Sequence, residues 1–284
     1  MNPLISVNDA LELIGRENVI FLDASYHLPN AGRDPEAEYF ENRIPGAIRF
    51  DINTIADPTA ELPHTMPTAP VFQRHMRAIG IRNEASLIVY DDTPFYSSSR
   101  AWYMLRYFGH ADVKVLNGGL NAWKNADGPL DHGSVIPSLE PSQFVSSEPQ
   151  GNDGIMMLGA MKRLVDIPSE QRKRQIVDAR SRGRFYGTDE EPRPGLASGH
   201  MPGAINIPIG SLINRDTGLI KEPAELEEIF SILDGDKPIV TTCGSGVTAC
   251  GLALGLAIIG RQDVAIYDGS WSEWGSRPDC PVEQ

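Results

Sequence analysis

In Pro238-Ile239-Val240-Thr241-Thr242-Cys243-Gly244-Ser245-Gly246-Val247-Thr248, a β-branched run stops at a cysteine. Two glycines follow, and an apolar run to Gly260 begins at once. The β-branched residues predict a short buried strand over Ile239–Thr242. Gly244 and Gly246 predict a tight turn, and Thr248–Ile259 a helix. Strand, glycine turn and helix in that order place backbone N–H groups and a positive helix end around Cys243. Such surroundings lower a thiol pKa and make the sulfur a nucleophile. A lone cysteine elsewhere reads as a small buried hydrophobe. Here the turn favours a reactive thiolate.

The chain repeats itself around this segment. Phe21-Leu22-Asp23-Ala24 returns as Ile176-Val177-Asp178-Ala179, and Ile44-Pro45-Gly46-Ala47 as Met201-Pro202-Gly203-Ala204. Leu87–Asp92 returns as Pro238–Cys243. Leu116-Asn117-Gly118-Gly119, with Trp123 after it, returns as Tyr267-Asp268-Gly269-Ser270, with Trp274 after it. The offsets run from 151 to 157 residues in unbroken order, which means two copies of one domain rather than a solenoid. In this pairing Asp92 stands where Cys243 stands. The first copy therefore lacks the nucleophile. Its loop from Asp92 to Ser99 has no glycine, and Pro94 has no N–H, so it reads as a poor anion cradle and the first half as scaffold.

Strands are predicted at Val19–Ala24, Ala47–Phe50, Leu87–Tyr90 and Val113–Leu116. In the second half they are predicted at Gln175–Asp178, Ala204–Ile207, Ile239–Thr242 and Val264–Tyr267. Helical patterns cover Val7–Ile14, Val71–Ile79, Arg100–Phe108, Met156–Asp166, Ala224–Leu233 and Thr248–Ile259. Gly80, Gly109 and Gly260 stand where helices end. Strands alternating with helices predict an α/β fold, each half a mainly parallel sheet with helices on both faces. A stretch from Val135 to Asp153, rich in Pro and Ser, predicts a linker at 139–153 between a non-catalytic domain at 1–138 and a catalytic one at 154–284.

A formal net charge of −13 argues against a nucleic-acid partner, which needs a basic stripe. There is no apolar stretch long enough to span a membrane. The N-terminus lacks a basic region followed by an apolar core, so no signal peptide is expected. Three cysteines in 284 residues make no disulfide framework, which fits a reducing cytoplasm. Cysteines and histidines show no metal spacing, and neither metal nor cofactor is expected.

The paired domains, the Pro-Gly-Ala turns, the Asp268–Trp274 run and the Cys243–Thr248 loop together resemble the two-domain rhodanese-type sulfurtransferases. The resemblance covers essentially the whole chain. The loop is similar to that of the 3-mercaptopyruvate sulfurtransferases. Thiosulfate-specific relatives carry basic residues at the two positions after the cysteine, where this chain has Gly244 and Ser245. The resemblance implies two tandem rhodanese-like domains. It implies sulfur transfer from 3-mercaptopyruvate through a persulfide on Cys243 to thioredoxin, another small thiol or cyanide, with release of pyruvate. It matches Arg184 and Arg193 to substrate-binding arginines. A guanidinium suits this task because it meets a carboxylate with two parallel hydrogen bonds. The N–H groups of Gly244, Gly246, Val247 and Thr248 are expected to hold the persulfide charge. Ser245 is expected to polarise the substrate in a relay with a histidine and an aspartate. Arg43 stands at the histidine's place, and Asp34 is the candidate acid.

Cys250 is read as a core thiol and Cys280 as exposed. His200 is read as a turn-orienting residue, and Trp271 and Trp274 as packing residues near the active loop. Tyr26, Tyr96 and Ser97 are read as loop residues of the first half that face the cleft. A phosphatase on the same scaffold needs Cys-x5-Arg, and position 249 is Ala. A non-catalytic binding module is the rival from another class. It would tolerate loss of the thiol that the second half keeps. Thiosulfate sulfurtransferase is the alternative within the enzyme class.

Overall fold

The computed structural model describes residues 2–28, 31–93, 97–134, 137, 139–147 and 154–284. Two compact units emerge. One draws on residues 1–59, 66–148 and 214–220, the other on 60–65, 149–213 and 221–284.

In the first unit, β1 (Leu4–Ile5), β2 (Val19–Asp23), β3 (Ile48–Arg49), β4 (Ser86–Tyr90) and β5 (Val113–Leu116) form one parallel sheet. Its order is β1-β5-β4-β2-β3. The helices are α1 (Val7–Leu11), α2 (Pro35–Glu41), α3 (Ala69–Ala78), α4 (Ser97–Tyr107) and α5 (Gly119–Asn125). The second unit repeats the plan with β6 (Ile155–Met156), β7 (Gln175–Asp178), β8 (Ile205–Asn206), β9 (Ile239–Thr242) and β10 (Val264–Tyr267), ordered β6-β10-β9-β7-β8 and again parallel. Its helices are α6 (Leu158–Val165), α7 (Arg182–Phe185), α8 (Pro223–Phe230), α9 (Ala249–Ile258) and α10 (Ser270–Trp274).

Every residue of β9 and β10 is buried, as a parallel strand covered on both faces requires. Helix α9 is buried along nearly its whole length and is small-residue rich. At Gly255 an added Cβ would stand 2.8 Å from Leu212 Cδ1, so glycine lets its neighbours close in on the helix. The eight expected strands are present. The two-residue β1 and β6 are too short to show any periodicity. Helices α2, α5, α7 and α10 have four to seven residues and escaped the pattern for the same reason.

The register of the two sheets corrects the pairing of the repeats by one residue. Asp23 pairs with Tyr90 across β2 and β4, and Asp178 with Thr242 across β7 and β9. Ala24 N–H donates to Tyr90 O (2.8 Å), and Ala179 N–H to Thr242 O (2.9 Å). Leu120 N–H donates to Asp91 O and Trp271 N–H to Cys243 O, each at 2.9 Å. Asp91, not Asp92, is the counterpart of Cys243. Two adjacent aspartates gave the sequence alignment nothing to choose by, whereas the hydrogen-bond ladder admits one register.

Two further expectations change. Residues 139–147, expected as linker, belong to the first unit: Phe144 is fully buried, its ring meets Phe72 edge-on, and Ser142 Oγ donates to Ile81 O. Residues 148–153 of that stretch lie outside the described residues. Cys280 is buried rather than exposed. It packs in the second core with Trp271 and Trp274, and Glu283 N–H and His200 N–H tie the C-terminal strap to the unit by mutual backbone bonds. Burial pushes the Cys280 thiol up, which makes it less reactive. Among the described residues, no helix is long and apolar enough to cross a membrane.

Candidate active site

The middle strand of the second sheet, β9, ends at Thr242, and Cys243 follows directly. The neighbouring strand β7 ends at Asp178 and delivers Arg180 and Arg184. The chain leaves β7 toward one sheet edge and β9 toward the other. The site therefore lies at the carboxyl ends of two strands where the winding reverses, the place α/β sheets offer for a ligand.

Backbone contacts fix the loop. Ser270 Oγ accepts from Cys243 N–H (3.2 Å) and donates to Tyr267 O (2.8 Å). Ser272 N–H (2.9 Å) and Ser272 Oγ (2.6 Å) both donate to Gly244 O. Ser270 adopts φ +49°, a strained value for a residue with a Cβ, which its three hydroxyl contacts hold in place. Gly246 has φ +78°, so the turn needs glycine there. Thr248 caps α9. Among the described residues, no protein acceptor takes the N–H groups of Gly244, Ser245, Val247 or Thr248. Cys243, Ser245 and Val247 are buried. A thiol beside undirected amides at a helix start is a place where a negatively charged sulfur can be held.

Both predicted arginines meet this loop. Arg184, in α7, brings its Nη2 to 3.0 Å from where a Cβ would stand on Gly244. Arg193 Nη1 donates to Ser272 Oγ (3.2 Å), the hydroxyl bound to Gly244 O. Their guanidiniums thus flank the residue after the cysteine. Three groups that the sequence reading gave no role support them. Glu191 takes Arg184 Nη2 (2.6 Å) and Nε (3.3 Å), and also Arg180 Nη1 (2.8 Å). Arg180 in turn grips Asp178 and Gly199 O and lies over the Trp271 ring at 4.1 Å. No periodic signal marks such a network. The one available hint was an Arg directly after the Asp-Ala that ends a strand.

Trp271 and Trp274 are fully buried, and their indole N–H groups donate to Ala197 O and Pro281 O. His200 stacks on Phe185 at 3.8 Å and contacts its carbonyl at 2.9 Å, as a turn-orienting residue would. Cys250 is fully buried on α9, its Sγ 3.3 Å from Gly246 O.

In the first unit the matching position holds a buried carboxyl group. Asp91 Oδ2 accepts from Ser98 N–H (2.8 Å) and Ser97 N–H (3.0 Å), the first amides of α4. The amides of Ser97 and Ser98 are thus taken by a side chain of the unit itself. Ser97 is a buried donor there; Tyr96 lies outside the described residues, and Tyr26 is half-buried. A cavity of about 210 Å³ beside it is lined by Asp23, Arg33, Glu38, Asp92 and Lys124, among others. Arg33 bridges Glu38 and Asp92. Arg43 is buried and donates to the carbonyls of Tyr39 (3.3 Å) and Gly133 (2.9 Å), and Asp34 accepts from two amides to cap α2. Both residues thus have structural partners within their own unit.

Burial raises the Asp91 pKa to about 7, against the lowering by its amide donors. The unfolded chain releases this proton near pH 4, so between about pH 4 and 7 the folded state binds more protons than the unfolded state. Stability is therefore expected to fall as pH rises through that window, by up to about 4 kcal/mol for a shift of about three units. Asp91→Asn should match the wild type in urea midpoint only below about pH 4 and exceed it by a margin that grows from about pH 5 to about pH 8. A wild type with equal midpoints at the two pH values would contradict this.

The rhodanese-like domain model matches residues 6–126 and 161–277. The chain belongs to the rhodanese family and carries two of its domains. The 3-mercaptopyruvate sulfurtransferase of Homo sapiens is 41% identical over 271 residues, covering 93% of this chain and 88% of that protein. The crystal structure of SseA from Escherichia coli, described with the fold and mechanism of 3-mercaptopyruvate sulfotransferases, superposes with a TM-score of 0.83 at 34% identity, covering 95% of this chain and 99% of SseA. The thiosulfate sulfurtransferase of Mus musculus is 39% identical over 272 residues, covering 93% of this chain and 88% of that protein. Within the family this chain is a sulfurtransferase, homologous to the 3-mercaptopyruvate enzymes.

Proposed function

We propose that the second unit transfers sulfur from 3-mercaptopyruvate to a thiol such as thioredoxin, or to cyanide, through a persulfide on Cys243. One observation carries the reading: two guanidiniums, Arg184 and Arg193, converge on Gly244, the residue next to Cys243 at the carboxyl end of the sheet. A carboxylate held there leaves the rest of a three-carbon donor within reach of the sulfur. The Cys243 thiolate attacks the donor sulfur, and the carbon–sulfur bond breaks. Its electron pair goes to carbon as the enolate of pyruvate, which then takes a proton. The persulfide on Cys243 is held by the amides of Gly244, Gly246, Val247 and Thr248. The acceptor thiolate attacks the outer sulfur and restores the Cys243 thiolate. Ser245 polarises the donor carbonyl by its hydroxyl. A reducing compartment such as the cytoplasm keeps Cys243 free for the first step.

The neutral Gly244 and Ser245 favour a singly charged donor over the thiosulfate dianion. Thiosulfate is the second reading, supported by an identity to a thiosulfate sulfurtransferase of 39%, close to the 41% for the 3-mercaptopyruvate enzyme. Pyruvate release from mercaptopyruvate, measured beside thiocyanate formation from thiosulfate plus cyanide, decides between them. The expected result is a larger kcat/KM for mercaptopyruvate; the reverse ranking would reject this donor assignment.

A further inference from the structure

Arg184 has two edges, and the structure uses them differently. Its Nε and Nη2 edge is closed by the Glu191 carboxylate. Its terminal edge faces the loop: Nη2 and Nη1 lie 3.0 and 3.7 Å from the Cβ position of Gly244. A guanidinium gripped side-on cannot turn about its long axis, so the terminal fork is held toward Gly244 before any donor arrives. Glu191 is suited to this role because its own side chain is only 3% exposed and is fixed from behind by Arg180, which is fully buried. Arg180 is fixed by Asp178 and the Trp271 ring.

The same contacts set the charge of the site. Within this network the three guanidiniums of Arg180, Arg184 and Arg193 stand against the two carboxylates of Asp178 and Glu191, an excess of one positive charge. That charge matches one carboxylate and falls short of a dianion. We propose that Glu191 positions Arg184 and sets the preference for a singly charged donor. This inference rests on the donor assignment above and extends it from the loop to a residue that touches neither sulfur nor loop amide.

Glu191→Gln keeps the shape and removes the charge, leaving two net positive charges. The ratio of thiosulfate to mercaptopyruvate kcat/KM, taken relative to wild type, is expected to rise about tenfold, equivalent to about 1.4 kcal/mol of differential donor binding. Raised salt should shrink the gain, because the site is partly open to solvent. A variant that loses both donors equally would mark Glu191 as a purely structural residue and overturn the proposal. An unchanged ratio would overturn it too. If the neutral variant does not fold by circular dichroism, Glu191→Asp carries the test. It keeps the charge but withdraws the carboxylate by one methylene. KM for mercaptopyruvate should rise severalfold with little change in kcat, and the donor ratio should stay near wild type. An unchanged KM would overturn the positioning role. Wild-type rates on the two donors test the donor assignment itself, whereas the variant-to-wild-type ratio tests Glu191, so the two failures read differently.

Discussion

Cys243→Ser is expected to abolish sulfur transfer and leave the fold intact. The loss in kcat/KM should be about 10⁴-fold or more, the scale on which removal of a nucleophile registers. A hydroxyl is almost wholly protonated at neutral pH and far less nucleophilic than a thiolate. The fold should survive because the hydrogen bonds that shape the loop run through backbone and serine groups rather than the sulfur. Cys243 N–H is bound to Ser270 Oγ, Cys243 O to Trp271 N–H, and Gly244 O to Ser272. Oxygen in place of sulfur at this buried position removes little volume. Treatment with mercaptopyruvate should add one sulfur, about 32 Da, to the wild type and none to the variant, as covalent catalysis requires. A label on Cys250 or wild-type turnover in the variant would sink the assignment of the nucleophile.

Arg184→Ala is expected to lower kcat/KM for mercaptopyruvate by about 10–150-fold, the value of about 1.5–3 kcal/mol for a lost charge-assisted contact. Most of the effect should fall on KM if the arginine grips the carboxylate equally in ground and transition states. Arg193→Ala should act in the same direction, since it borders the same carbonyl through Ser272. Arg184→Lys should rescue only in part. Arg184 meets Glu191 with Nε and Nη2 while its terminal edge faces Gly244, and a single ammonium cannot serve both sides. Unchanged steady-state kinetics in both alanine variants would show that the carboxylate binds elsewhere.

The cysteine loop and the doubled sheet were legible in the chain because both follow from local chemistry. A β-branched run, a glycine turn and an apolar run specify strand, turn and helix within about a dozen residues of each other. The repeated Asp-Ala and Pro-Gly-Ala markers carry the duplication. The short elements were not legible. Helix α7 spans four residues, too few for a 3.6-residue period to repeat. Cys280 looked exposed because it lies near the end of the chain. It is buried because Trp274 Nε1–H donates to Pro281 O and the Glu283–His200 backbone pair draws the strap onto the core.

By itself, the sequence determined the family, the two-domain plan, the position of Cys243 at a strand end and the pairing of the halves to within one residue. Only the tertiary structure decided that Asp91 replaces the cysteine, because register is a property of two strands and not of one. Only it showed why Gly244 is bare. A methyl group there would stand 3.0 Å from Arg184 Nη2, so the missing side chain gives the guanidinium room beside the loop. The same holds for Glu191. Its meaning lies in joining Arg180 to Arg184 over a loop that no periodicity describes, and the orientation of a planar ion is fixed by partners brought together in space rather than by its neighbours along the chain.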